Sequence, residues 1–122
     1  MSAVHVVLLV TGAVTALLML GAARRKLTGE PPARESADHP SISASQYRLL
    51  GYLEILAVIG IVLGIWVPAF GLAAGIGVVA LMVGALGFHL RFRHVVTAMV
   101  PALVGLAASA GFSAAQAVVI WG

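Results

Sequence analysis

Cysteine is absent from this chain. That removes disulfides, thiol redox relays, cysteine-ligated iron–sulfur clusters and thiolate zinc sites, and leaves the compartment open. Charge is scarce as well: 9% of the 122 residues are charged, against roughly a quarter in an ordinary soluble domain. Of the four acidic residues, Glu30, Glu35 and Asp38 share one polar stretch, and Glu54 alone lies elsewhere. No Lys or Arg precedes the first apolar run; Arg24, Arg25 and Lys26 follow it. A secretory signal has the opposite order. The expectation is therefore a first membrane helix with a cytoplasmic stop, although Gly21-Ala22-Ala23 resembles a cleavage site.

What the chain has in abundance is apolar surface. It is 61% hydrophobic with a mean hydropathy of +1.10, and the apolar residues gather in four runs, at about 3–23, 48–67, 69–90 and 95–120. Each approaches or exceeds the roughly 20 residues that carry a helix across a hydrocarbon core. Lipid offers backbone groups no water, so unbroken runs of this length become helices. A membrane barrel would need short segments alternating in polarity, which are missing. The fold class is all-α: a single polytopic domain, 1–122, built as a four-helix transmembrane bundle in contact with the lipid bilayer, with a polar loop at 24–47. A net charge of +3 and a pI near 10.2 do not imply nucleic acid, because the basic residues flank apolar spans.

Those same residues set the orientation. Arg24, Arg25, Lys26, Arg34 and Arg48 flank the first loop, and Arg91, Arg93 and His94 the third, whereas the connection at Pro68 and both ends of the chain carry no Lys or Arg. The positive-inside rule places loops 24–47 and 91–94 in the cytoplasm and both termini outside, in a multi-pass protein of the inner (plasma) membrane. Trp66 and Trp121 then meet at the outer interface, and Tyr47, Tyr52 and Phe92 at the inner one. In the polar loop Pro31-Pro32, His39-Pro40 and Ser41, Ser43 and Ser45 resist a regular element. A flexible connection is favoured there over a lid, with Ser43 or Ser45 capping the second helix. Small residues recur at Gly60/Gly64, Gly71/Gly75, Ala73/Gly77 and Ala107 to Gly111, a spacing that lets membrane helices approach closely. Pro101 is expected to kink the fourth helix.

Glu54 is the focus of any chemistry. An ionisable side chain inside a membrane span is costly, so it faces a partner, a cavity or a ligand. Helical spacing puts Tyr47, Gly51, Glu54, Val58 and Ile61 on one face. Glu54 lies about 9 Å deeper than Arg48 at the helical rise. On an antiparallel third helix His89 comes within about 5 Å of the same depth. A Glu54–His89 pair near Arg48 and Arg91 would make an acid/base or polar-headgroup site at the base of an apolar cavity. The bland alternative is a buried hydrogen bond that fixes helix register. Arg48 and Arg91 are otherwise topology markers, and Lys26 is expected to snorkel to the headgroups. Thr11, Thr15 and Thr97 can bond carbonyls in the preceding turn. The four histidines show no metal spacing, so no metal site and no bis-histidine haem is expected.

Several stretches resemble the DoxX-like membrane proteins: Gly21-Ala-Ala-Arg-Arg-Lys26-Leu27-Thr-Gly29, Gly51-Tyr-Leu-Glu54-Ile-Leu-Ala-Val-Ile-Gly60, and the run through Met82, Gly84, His89, Leu90 and Arg91. One extra residue between glycine and lysine distinguishes the first from the family pattern. The resemblance implies a small four-helix membrane fold and an oxidoreductase-associated setting. The family includes a membrane subunit of thiosulfate:quinone oxidoreductase and distant animal relatives that assist receptor assembly. Three function classes stay open. One is a site for a lipophilic small molecule, quinone-like or isoprenoid, with Glu54 and His89 as catalytic groups and Tyr47, Arg48, Gly51 and Arg91 as ligand-binding residues. No cofactor is intrinsic to it, and a quinone is the one it admits. The second is an accessory subunit whose small-residue faces bind a membrane protein partner or a second copy. The third is a dimeric proton-coupled exporter, which is disfavoured because such proteins carry their glutamate in the first helix.

Overall fold

The computed structural model describes residues 2–28, 44–91 and 96–122. Four helices follow in order: α1 (Ala3–Thr28), α2 (Ala44–Leu63), α3 (Pro68–Arg91) and α4 (Val96–Trp121). All four are long and apolar enough to cross a membrane, and together they make a four-helix membrane bundle. Ser41 and Ser43 of the polar loop, and Phe92, Arg93 and His94, lie outside the described residues.

Local chemistry explains the helix ends. Ser2 Oγ accepts the His5 N–H at 3.4 Å and meets His5 Nδ1 at 2.6 Å, which satisfies an otherwise orphaned donor at the start of α1. The same helix runs past its apolar stretch because Arg24, Arg25, Lys26 and Leu27 are good helix formers, and cations suit a helix C-terminus. Helix α2 closes at Leu63 rather than near Val67. Gly64 opens the turn there, and Pro68 becomes the first residue of α3, a position that needs no N–H. Ser45 lies inside α2 and does not cap it. Pro101 falls in the second turn of α4, which continues through it.

Each helix packs on its neighbour in sequence, and α4 returns to α1. Side-chain pairings fix antiparallel register. Gly12 of α1 faces Ile61 of α2 and Phe112 of α4, and Gly105 of α4 faces Met82 of α3 and Leu18 of α1. Buried positions recur every three or four residues, as one helical stripe requires: Leu8, Gly12, Thr15, Met19 and Ala23 on α1; Gly71, Gly75, Val78 and Met82 on α3. On α2 the stripe is Gly51, Glu54, Ala57, Ile61 and Gly64. Met19, Ala57, Val78, Met82 and Ala102 form one core cluster, and Leu8, Ile61, Phe112 and Ala115 another. Many other large apolar side chains, such as Leu17, Leu56, Ile76 and Val83, are exposed, as a lipid-facing surface demands.

Polar groups within the bundle are mostly satisfied locally. Thr11 donates to Val7 O at 2.6 Å, Thr15 to Thr11 O at 2.7 Å and Ser113 to Ser109 O at 2.8 Å. Gln116 instead reaches across the bundle and donates Nε2 to Gly64 O at 3.4 Å, which serves a carbonyl just past the end of α2.

The glycine spacings divide into two kinds. A Cβ at Gly60 would sit 2.7 Å from Ala74 Cβ, and one at Gly64 would sit 2.5 Å from Gly71 Cα. These positions therefore close the α2–α3 crossing. At Gly77 and Gly84 nothing lies within 4 Å of such an atom, so the Ala73/Gly77 pair does not join helices of this chain. Overpacking costs about 1–3 kcal/mol, whereas alanine in an open helical position gains about 0.5–1 kcal/mol over glycine. Gly64→Ala is therefore expected to lower the unfolding temperature in detergent, and Gly84→Ala to leave it unchanged or raise it; equal behaviour would contradict the crossing described.

Candidate functional site

Three buried stripes end in ionisable side chains at the same end of the bundle. On α1 the position after Ala23 is Lys26, on α2 the stripe contains Glu54, and on α3 the positions beyond Met82 lead through Ala85 to His89. Lys26 Nζ lies 2.7 Å from Glu54 Oε1, with the two side chains 16% and 5% exposed. That is a short, charge-assisted contact between α1 and α2. The ammonium also sits 5.2 Å from the centroid of the Tyr47 ring, within cation–π range. Arg25 places a further positive charge near enough to act on Glu54.

Lys26 is thus not a snorkelling anchor. The extra turn of α1 carries it onto the buried stripe, and Glu54 holds it there. Gly51 makes this possible: a Cβ would come 3.1 Å from the Leu27 side chain and 3.2 Å from Lys26 Cβ. Its role is to bring α1 against α2. The second carboxylate oxygen, Glu54 Oε2, is buried and has no hydrogen-bond partner among the described residues.

A groove of about 940 Å³ runs between α2 and α3. Tyr47, Lys26, Glu54 and His89 border its basic end, and Leu63 and Phe70 lie at the other. Between them the walls are apolar, and exposed side chains such as Leu53, Leu56 and Ile59 along the rim open it sideways toward lipid. Of the residues expected from sequence, the groove brings together Glu54, His89 and Tyr47. Arg48 and Arg91 are exposed and do not border it, and Gly51 serves the helix contact instead. Glu54 has its ion pair with Lys26, while His89 borders the same space with its ring edge-on to Phe88, centroids 6.3 Å apart. Among the described residues no group of three or more His, Cys, Asp or Glu side chains could hold a metal ion.

The sequence pattern of the DoxX-like family matches residues 3–112. The chain belongs to the DoxX-like family. It matches no curated protein and no solved structure. Nearly the whole length of the bundle falls within the family match, including Lys26, Tyr47, Glu54 and His89.

The ion pair has a measurable signature. Removing one partner of a buried pair typically costs about 3–5 kcal/mol, while replacing both with apolar residues is near neutral. Lys26→Met alone is expected to destabilise the protein by that amount in detergent denaturation. Lys26→Met combined with Glu54→Leu is expected to recover most of the loss. Additive losses would show that the two side chains act independently.

Proposed function

We propose that this DoxX-like membrane protein binds a lipophilic small molecule, isoprenoid or quinone-like, in the α2–α3 groove. The observation that carries the proposal is the groove's polarity: an apolar channel open to lipid, with ionisable groups confined to one end. Binding sites for small molecules are mostly apolar clefts with a few placed polar groups, and the volume here falls in their range. The tail would lie along α2 and α3. The head would meet Glu54, Lys26, Tyr47 and His89, with Glu54 and His89 as the groups able to hold or move a proton. A quinone, when bound, would supply the redox chemistry that the side chains lack. Whether that serves a reaction of its own or an oxidoreductase partner defines the activity class.

A second function class draws on a different observation. Ala73, Gly77, Ala80 and Gly84 form an exposed small-residue ridge on α3 along the groove. Small residues are where membrane helices meet, so an accessory role would seat a partner helix or a second copy there. Native mass spectrometry with lipid identification, on wild type and Glu54→Gln, separates the two. A lipophile retained by wild type and lost in Glu54→Gln is the expected result. A protein partner or dimer in both, with no small molecule, would favour the accessory role.

We also place the basic end of the bundle in the cytoplasm. The absence of cysteine makes this simple to test. Single cysteines at Ser2 and Gly122 are expected to react with an impermeant maleimide on intact cells, and one at Gln46 only after lysis. The reverse pattern would invert the topology.

A further inference from the structure

The groove's basic end holds one buried carboxylate oxygen without a partner among the described residues, and that carboxylate is already matched by a cation. Lys26 and Glu54 neutralise each other at 2.7 Å, and Arg25 is exposed and outside the lining. A charged head would enter apolar surroundings without a free counter-ion, and an unpaired charge there is expensive. Glu54 Oε1 is occupied by the ammonium, whereas Oε2 is buried with no partner among the described residues. A buried acceptor left unmade is a penalty that a donor removes and a second acceptor does not. Oε2 is covered in the resting protein. A head reaches it only when the carboxylate turns about its soft terminal torsion and shares its contact with Lys26.

The groove also restricts the tail. Its lining extends along α2 from Tyr47 to Leu63, about 24 Å at the helical rise. That shape suits a single extended chain that arrives sideways from the bilayer.

We propose that the groove selects a single-chain lipophile whose head is an uncharged hydrogen-bond donor, a hydroxyl, which donates to Glu54 Oε2. This rests on the groove being a ligand site and narrows what it takes: alcohols and hydroquinones, rather than ethers, ketones or phosphates of the same chain. Prenols and prenylated hydroquinones share this chemistry.

The test is a binding titration of the full chain in detergent, read by native mass spectrometry. The probes are geranylgeraniol, its methyl ether, its monophosphate, and a prenylated hydroquinone with its quinone. A hydrogen bond to a charged acceptor corresponds to about tenfold or more in affinity. Wild type is expected to hold the alcohol at least about tenfold tighter than the ether, and the hydroquinone tighter than the quinone, by that same bond. The tighter of the two hydroxyl compounds identifies the source. In the Lys26→Met and Glu54→Leu double variant, which removes the acceptor together with its counter-ion and keeps no unpaired charge, the alcohol-to-ether ratio is expected to fall to about one. Equal binding of alcohol and ether by wild type, a preference that survives the double variant, or tightest binding of the phosphate would overturn the donor-head proposal and leave the groove as a ligand site. Failure of every probe to bind would overturn both.

Discussion

The contact between Lys26 and Glu54 joins two charges that the surrounding helices largely bury. Each is tolerable only because of the other, and the pair dictates a good deal around it. Helix α1 must remain helical through Lys26 to deliver the ammonium, Gly51 must lack a side chain so that α1 can come close, and Tyr47 must lie about two turns before Glu54 to shield the cation with its ring. Two helices that share only small and apolar residues elsewhere are thereby locked in rotation and register. Apolar packing in a membrane supplies little of that specificity, since lipid tails compete equally well for a leucine.

The same pair makes the groove chemically one-sided. Away from the basic end, α2 and α3 present leucine, isoleucine, alanine and glycine, which can hold a hydrocarbon but cannot orient it. The polar and ionisable side chains Tyr47, Lys26, Glu54 and His89 gather at one end of the groove, drawn from three helices. Because these groups come from three helices, the site exists only when the bundle is assembled.

Much of this was legible in the sequence. Four apolar runs of membrane length became four helices, and the isolation of Glu54 among apolar residues singled it out before its ion pair and the groove beside it were known. The placement of Tyr47 and His89 along the same groove followed from helical spacing and antiparallel order. Lys26 was the miss. Hydropathy ends α1 at Ala23, where the apolar run stops, but helix propensity continues through Arg24, Arg25 and Lys26, and the stripe Leu8, Gly12, Thr15, Met19, Ala23 lands next on Lys26. Following periodicity instead of hydropathy would have found it. Arg48 and Arg91 fall outside the groove lining and are exposed, because proximity in sequence to Glu54 and His89 says nothing about helix face. The groove itself had no sequence signal, because glycine at a tight crossing and glycine beside an open space look identical until the neighbouring helix is placed.

That last distinction has a mechanical consequence. Gly60 and Gly64 press α2 onto α3 near one end, and Gln116 ties the Gly64 carbonyl to α4, whereas Gly77 and Gly84 face open space. Helices α2 and α3 therefore resemble the legs of a compass with its pivot at the tryptophan-bearing end. With a leg of about 24 Å, a change of only about 5° at the pivot moves the basic end by about 2 Å, close to the half-thickness of a hydrocarbon chain. The opening at the Tyr47 end of the groove is thus geared to a glycine crossing at the far end of the two helices.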